Sequence, residues 1–200
     1  MIFTPNFLPS VLYFTELIKS ESINWDQNDL YLKQSYRNRA KILGANKVEK
    51  LIIPVHASSG KTPIKEVQID NHSLWQRTQL RTIEAAYRNS PFYQYYDYLF
   101  VPIFEKDYKY LVDIQLDALS FCLKAMNLKK ELNWVSSVGS KARFNSSPKD
   151  NTENLDFQFI SYNQTFGNVF VPNLSIIDLL FNKGPETVAI LINQAGMNTP

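Results

Sequence analysis

The strongest candidate for anion binding is a run of basic and amide side chains at residues 33–41. Arg37 and Arg39 are two residues apart within it. An arginine side chain presents a planar set of N–H donors that matches a phosphate or a carboxylate, so the run predicts a site for a phosphate or an acidic sugar. Another interpretation stays open, namely a solvated basic loop whose charges pair with acids such as Asp26 and Asp29.

Two side chains are candidate bases for a transfer reaction. His72 lies two residues after Asp70, immediately before a predicted helix. An imidazole in such a place can take a proton from a substrate hydroxyl. The plainer interpretation is that residues 71–73 only cap the helix. Asp178 is the second candidate, because it lies in a segment whose neighbouring side chains are largely apolar.

Polar side chains recur among apolar ones at residues 162–186. A buried amide or carboxylate destabilises the fold unless it is hydrogen-bonded, so these groups must bond to one another or bind something else. They could orient an arginine of the 37–39 run, and a structural network is as consistent with the sequence as a catalytic one. The polar positions are Gln164, Asn173, Ser175, Asp178 and Asn182.

Residue counts exclude several chemistries. The chain has a single cysteine, Cys122, and two histidines. An internal disulfide, a thiolate zinc site and a histidine-rich metal centre are therefore ruled out, while a histidine–carboxylate site is not. We predict no metal ligands and identify no cofactor. The segment SGKT at 59–62 does not match a phosphate-binding loop, because Val55 replaces the first glycine and Pro63 opposes the helix that must follow.

Composition is that of an ordinary folded protein. The 200 residues are 44% hydrophobic and 20% charged, which excludes disorder over the whole chain. The net charge of 21 − 19 = +2 is too small for a general nucleic-acid binder. Residues 1–30 carry one basic and four acidic groups, whereas residues 31–50 carry six basic and one acidic. This local excess indicates one small anionic or sugar-bearing ligand.

The elements that must position these groups are those of an α/β protein. A strand at 1–7, a helix at 10–19 and a strand at 22–25 predict an opening βαβ unit. We predict a single domain over residues 1–200, with a mixed sheet, helices packed on its faces and a mobile loop at 136–155. Further strands are predicted at 40–43, 50–55, 66–70 and 156–161, and further helices at 74–89, 110–127, 175–181 and 186–193.

No membrane-spanning segment is expected, because no run of about 18 apolar residues occurs. The first residues lack a basic start before their apolar stretch, and Pro5 and Pro9 interrupt that stretch. A signal peptide is therefore not expected either. We predict a cytoplasmic protein and leave a homo-oligomer open.

Several segments share their order and spacing with one known family. They are FLPSVLYFTELI at 7–18, YLKQSYRNRAKILGANK at 31–47, LIIPV at 51–55, VQIDNHSLWQRTQLRTIEAAYRNSPFYQYY at 67–96, YNQTFG at 162–167 and NLSIIDLLFNKGPE at 173–186. In these segments the chain resembles the WbqC-like family, in its short form. The resemblance implies a role in bacterial surface-polysaccharide (O-antigen-type) biosynthesis. Relatives often carry a histidine one turn after the tryptophan, where this chain has Gln79.

The resemblance and the residues together predict one composite site. We expect a group transferase that acts on a nucleotide-activated or lipid-linked sugar, with Asp178 or His72 as the base. The alternative is a non-catalytic binding or assembly partner in the same pathway. A cleft that brings residues 33–39 within reach of Asp178 favours the enzyme, and an open convex face favours the partner. The predicted substrate-binding residues are Lys33, Tyr36, Arg37, Asn38, Arg39, Trp75, Gln164 and Asn173.

Overall fold

The computed structural model describes residues 1–136, 143–144 and 157–197. The chain begins with the predicted βαβ unit, in which the parallel strands β1 and β2 flank helix α1. Helix α1 starts after Ser10, whose Oγ accepts a hydrogen bond from the backbone N–H of Tyr13. This cap satisfies one of the N–H groups that a helix start leaves unpaired. The bounds are Ile2–Phe3 for β1, Val11–Ile18 for α1 and Ile23–Asp26 for β2.

Strands β1 and β2 form the centre of a four-stranded parallel sheet, with one further strand on each side. Strand β7 (Leu132–Val135) pairs with β2 and places Trp134 opposite Trp25. Strand β8 (Arg143–Phe144) pairs with β1. The sequence predicts neither strand, because both are held by pairing with strands at the other end of the chain. Strand β8 falls inside the predicted mobile loop at 136–155, most of which lies outside the described residues.

Two antiparallel hairpins form separate two-stranded sheets. Arg39, the first residue of β3, lies opposite Ile52, the last residue of β4. Pro54 separates the two hairpins, and a proline has no N–H to donate to a ladder. The predicted mixture of parallel and antiparallel pairing is therefore present, but it is divided among different sheets. The bounds are Arg39–Leu43 for β3, Val48–Ile52 for β4, Val55–His56 for β5 and Gln68–Ile69 for β6.

The other described helices bury their apolar sides in one core, which runs from Phe3 in β1 to Leu191 in α6. This continuous core makes the α/β fold a single domain, as predicted. Cys122 is fully buried in α4, and burial raises the pKa of its thiol. The bounds are Trp75–Tyr87 for α2, Tyr93–Phe100 for α3, Leu111–Ala125 for α4, Ile176–Lys183 for α5 and Thr187–Gln194 for α6.

The prediction of a strand at 156–161 is wrong for its described part, residues 157–161, which are irregular. Here the backbone bonds to a side chain instead of a neighbouring strand, since the N–H of Ile160 donates to Gln194 Oε1 at 3.1 Å. No helix within the described ranges is long and apolar enough to cross a membrane.

Candidate functional site

The structure divides the predicted site residues between two regions. The first, the Asp178 network, consists of Asp178, Tyr87, Tyr162 and Gln164. Asp178 lies in the first turn of α5 and is fully buried. Its Oδ1 accepts a hydrogen bond from the Tyr87 hydroxyl at 2.8 Å. Its Oδ2 accepts from the Tyr162 hydroxyl at 2.7 Å and from Gln164 Nε2 at 2.9 Å. The carboxylate therefore has three donors from the protein itself.

Burial governs protonation in the Asp178 network. It raises the pKa of the Asp178 carboxyl, against the opposite effect of the three hydrogen bonds. Burial and the neighbouring carboxylate also raise the pKa of the Tyr87 and Tyr162 hydroxyls well above the usual value. Both hydroxyls consequently keep their protons and donate. Because the N–H of Leu43 donates to the Tyr87 oxygen at 3.3 Å, the network also joins α2 and α5 to β3.

Two of the predicted substrate-binding residues, Asn173 and Gln164, are bonded to backbone groups. Asn173 Oδ1 accepts from the N–H of Leu12 in the first turn of α1 at 3.1 Å. The Gln164 side chain donates to the carbonyl oxygen of Val171 at 3.0 Å and accepts from its N–H at 2.9 Å. The polar side chains of this segment therefore hold the chain in place, as the network interpretation of the sequence proposes.

A surface cavity of about 410 Å³ lies against the Asp178 network and is lined by residues 161–164 and 167–170. Tyr162 and Gln164 face it and also bond to Asp178. Because Asp178 is not itself a lining residue, a molecule in this cavity meets Tyr162 and Gln164 first. In this arrangement Asp178 positions the side chains of Tyr162 and Gln164 and does not itself contact a molecule in the cavity.

Arg37 forms a buried ion pair with Asp29. Its Nη2 donates to Asp29 Oδ2 at 2.9 Å and its Nε to the same oxygen at 3.2 Å, and each side chain is only 3% exposed. Gln115 Nε2 donates to the Arg37 carbonyl oxygen, which ties this loop to α4. Asp29 is a partner that the solvated-loop interpretation names, but the pair is buried. The sequence suggested that Asp178 could orient an arginine of this run. In the structure the carboxylate that binds Arg37 is that of Asp29.

The second region, the hairpin-end site, consists of Asn38, Arg39 and Gln79. Arg39 begins β3 opposite Ile52. Asn38 Nδ2 donates to the carbonyl oxygen of Ile53 at 2.8 Å, and Gln79 Nε2 donates to that of Ile52. The three residues thus meet at the same end of the β3–β4 hairpin, although they come from a loop, a strand and helix α2.

Each residue of the hairpin-end site has one buried polar atom without a hydrogen-bond partner among the described residues. These atoms are Arg39 Nε, Asn38 Oδ1 and Gln79 Oε1, three of seven such atoms in the described parts of the chain. Arg39 also forms no ion pair with any described carboxylate, in contrast to Arg37. Tyr31 lies near both arginines, whose charges oppose the effect of burial in raising the pKa of its hydroxyl. Buried orphan atoms of this kind call for a bound water or ligand.

Three further predicted residues differ in their exposure. Trp75 begins α2 one turn before Gln79, and its buried ring donates from Nε1 to Asn71 Oδ1 at 3.1 Å. Lys33 is exposed, and Tyr36 is buried. Of these three side chains only Lys33 is directly open to a ligand in solution.

His72 is exposed and lies beside Asp70, its neighbour in the sequence, and beside His56, which the sequence does not place with it. The N–H of His72 donates to Asp70 Oδ1 at 3.1 Å, and His56 Nε2 lies 3.6 Å from the same oxygen. The N–H of Asp70 donates to the carbonyl oxygen of Pro54. Since Pro54 is two residues after Ile52, this cluster adjoins the hairpin-end site along the chain.

Sequence reasoning missed His56 and Gln79 as site residues, although signals for both exist. The predicted strands at 50–55 and 66–70 are separated by ten residues, and a hairpin between them brings the segment after the first strand close to Asp70. Gln79 follows Trp75 by four residues and therefore shares the buried side of its helix. A glutamine in that position needs partners for both ends of its amide.

A family model described as the WbqC-like protein family matches residues 4–147 and 140–190. The matched ranges include every residue of the Asp178 network and of the hairpin-end site. No curated protein and no solved structure matches the chain.

Proposed function

The chain belongs to the WbqC-like protein family, and on that premise we propose that it works in bacterial surface-polysaccharide biosynthesis. It is a group transferase that acts on a nucleotide-activated or lipid-linked sugar. The phosphate or carboxylate of that substrate binds at the hairpin-end site. The observation that carries the proposal is the buried Nε of Arg39, which has no partner among the described residues.

Arg39 supports the proposal because its side chain is half-buried, and partial removal from water makes a positive charge favour an anionic partner. Arg37, two residues away, is compensated by Asp29, and Arg39 has no such carboxylate in the described ranges. An incoming phosphate or carboxylate supplies charge-assisted hydrogen bonds of the geometry that arginine favours. The exposed Lys33 amino group adds a second positive charge on the same basic segment.

The amide oxygens of Asn38 and Gln79 support a sugar as the rest of the ligand. Both are buried acceptors without a partner among the described residues, and sugar hydroxyls are donors. A site with one guanidinium donor and two carbonyl acceptors suits a molecule that carries an anion and hydroxyl groups together. Such a molecule is a sugar phosphate or a sugar acid.

His72 is the base in this proposal, and Asp178 is not. Asp178 is buried and already accepts three hydrogen bonds, whereas the His72 side chain is exposed. His72 removes the proton of the acceptor's hydroxyl group while the oxygen of that hydroxyl forms a bond to the transferred group. The electron pair of the broken bond leaves with the donor's leaving group.

The non-catalytic partner is the second candidate function. It is favoured by the exposure of Lys33 and His72, because a transfer reaction requires a site that excludes water. A protein of this kind would bind the same sugar and leave it chemically unchanged.

Calorimetric titration with nucleotide sugars tests the proposal. The panel includes UDP-N-acetylglucosamine, UDP-glucuronate and UDP alone, so that the sugar, carboxylate and phosphate contributions separate. Arg39→Gln should weaken binding at least about tenfold, since hydrogen bonds to charged groups contribute about 1.5–3 kcal/mol. Arg77→Gln, which removes an exposed arginine from α2, is the matched control and should bind like the unaltered protein.

Three outcomes separate the hypotheses. Equal affinity of the Arg39→Gln and Arg77→Gln proteins contradicts the anion site. If a ligand binds through Arg39, product analysis with the His72→Asn protein follows. Turnover that this substitution abolishes supports the transferase, and binding without turnover in the unaltered protein supports the non-catalytic partner.

A further inference from the structure

We propose that His56, Asp70 and His72 form a binding site for a divalent transition-metal ion of the Zn²⁺ class. Each residue offers one ligand atom, and the three atoms all lie within 4.8 Å of one another. The cluster contains both histidines of the chain. The sequence leaves a histidine–carboxylate site open, but no metal ligands are predicted from it; His56 is distant from Asp70 and His72 in the sequence, and the fold brings it to them.

The β5–β6 hairpin creates the cluster. His56 in β5 lies opposite Gln68 in β6, and Asp70 is two residues past Gln68. Side chains two residues apart on a strand share a face, so His56 and Asp70 are diagonal neighbours, within reach of each other's side chains. The shortest distance between them, from His56 Nε2 to Asp70 Oδ1, is 3.6 Å.

Backbone hydrogen bonds fix the carboxylate and the second histidine. The N–H of Asp70 donates to the carbonyl oxygen of Pro54 at 2.9 Å. Asp70 Oδ1 then accepts from the N–H of His72 at 3.1 Å, which turns the chain back before α2. The ring of His72 is thereby placed 6.4 Å from that of His56, centre to centre. The arrangement therefore rests on two backbone N–H groups and on the Asp70 carboxylate that one of them meets.

The ligand types select the metal. Two imidazole nitrogens and one carboxylate oxygen are a donor set found in catalytic zinc sites and in non-haem iron sites. Imidazole binds transition metals far better than Mg²⁺ or Ca²⁺, which prefer oxygen ligands throughout. Three protein ligands also leave at least one position open to water or to a substrate oxygen.

The site needs only a small closure to reach bonding geometry. Ligand atoms around a tetrahedral Zn²⁺ with bonds of about 2.0 Å are roughly 3.3 Å apart. The His56–Asp70 distance of 3.6 Å is already near this value, and the other separations, all within 4.8 Å, need only a modest shortening. The His56 side chain is 61% exposed and His72 is also exposed, so rotation of the rings achieves this without moving the core.

Metal binding goes beyond the proposed function and does not depend on it. It would change the role of His72, which would become a ligand, and a metal-bound water at the open position would then take over as the base. Direct binding of the ion tests the site even if the chain acts on no sugar.

The experiment uses the full chain without a histidine tag, freed of metals by a chelator and then titrated with ZnCl₂. Calorimetry should show one Zn²⁺ per chain. His56→Asn, Asp70→Asn and His72→Asn should each weaken binding at least about tenfold, as loss of a ligand does at minimum. Asp107→Asn, which alters an exposed carboxylate outside the cluster, is the matched control and should bind like the unaltered protein. Asn at position 70 keeps an oxygen for the N–H of His72, so the turn is preserved.

Proton NMR of the histidine rings gives an independent result, because the chain has only two histidines. The signals of His56 and His72 should change together as Zn²⁺ is added, at the ratio found by calorimetry. The proposal is overturned if only one ring responds, or if the His56→Asn/His72→Asn double variant binds Zn²⁺ as tightly as the unaltered protein. Absence of Zn²⁺ binding by the unaltered protein also overturns it.

Discussion

The Asp178 network and the hairpin-end site contain the same kinds of polar side chain, but only one of them is internally satisfied. The two oxygens of Asp178 accept three hydrogen bonds from the protein. At the hairpin end, Arg39, Asn38 and Gln79 each retain a buried atom without a partner in the described chain. The first region is therefore satisfied by the protein itself, whereas the second keeps the unpaired atoms on which the proposed ligand site rests.

The same contrast separates two arginines that are almost adjacent. Arg37 is fully compensated by Asp29 inside the protein, whereas Arg39 begins an edge of a two-stranded sheet and has no described acidic partner. Breaking a bonded pair should destabilise the fold strongly. Removing an uncompensated group should affect binding more than folding, since a site optimised for a ligand is often not optimised for stability.

The largest expected effect comes from breaking the Arg37–Asp29 pair. Asp29→Ala leaves the Arg37 charge buried and uncompensated, which should lower the free energy of unfolding by about 3–5 kcal/mol. Urea unfolding followed by tryptophan fluorescence measures this loss. Asp107→Ala, at an exposed aspartate, should change the same quantity by less than about 0.5 kcal/mol. If both variants lower the free energy of unfolding by a similarly small amount, the Arg37–Asp29 pair does not stabilise the fold, and the two arginines do not differ in this respect.

A smaller loss is expected from Asp178→Asn. The side chain keeps its shape, but its NH₂ group faces donors and can accept nothing. At least one of the three donors then faces the NH₂ group and loses its acceptor, so the free energy of unfolding should fall by about 2–3 kcal/mol. Affinity for any ligand of the hairpin-end site should stay unchanged. Loss of binding with full stability would instead make Asp178 part of the ligand site.

The sequence predicts those parts of the fold that depend on local patterns. Helix α1 and the strands on either side of it follow from apolar spacing and from the Ser10 cap. Strand β7 could not be predicted, because its residues form a strand only through pairing of Trp134 and its neighbours with β2. The predicted strand at 156–161 has alternating side chains but no neighbouring strand along its described residues.

The candidate site follows the same rule. The sequence shows that Asp178 requires partners if buried, but Tyr87, which donates to it, lies 91 residues away. It gives Arg37 and Arg39 equal weight, because both are arginines in one basic run. They differ in the structure because Arg37 precedes the strand and meets Asp29, whereas Arg39 begins β3. Neither fact is written in the spacing of the two residues.

The different roles of the two arginines are tested most directly by comparing Arg37→Gln and Arg39→Gln in one experiment. The experiment is urea unfolding with and without a nucleotide sugar that binds the unaltered protein. Arg37→Gln removes the buried guanidinium that compensates the Asp29 charge and should lower the free energy of unfolding by about 3 kcal/mol or more. Arg39→Gln should change it by less than about 1 kcal/mol and should abolish the added stability that the ligand gives the unaltered protein. If Arg39→Gln destabilises the protein as much as Arg37→Gln, or retains the stabilisation by ligand, then Arg39 serves the fold and not a ligand.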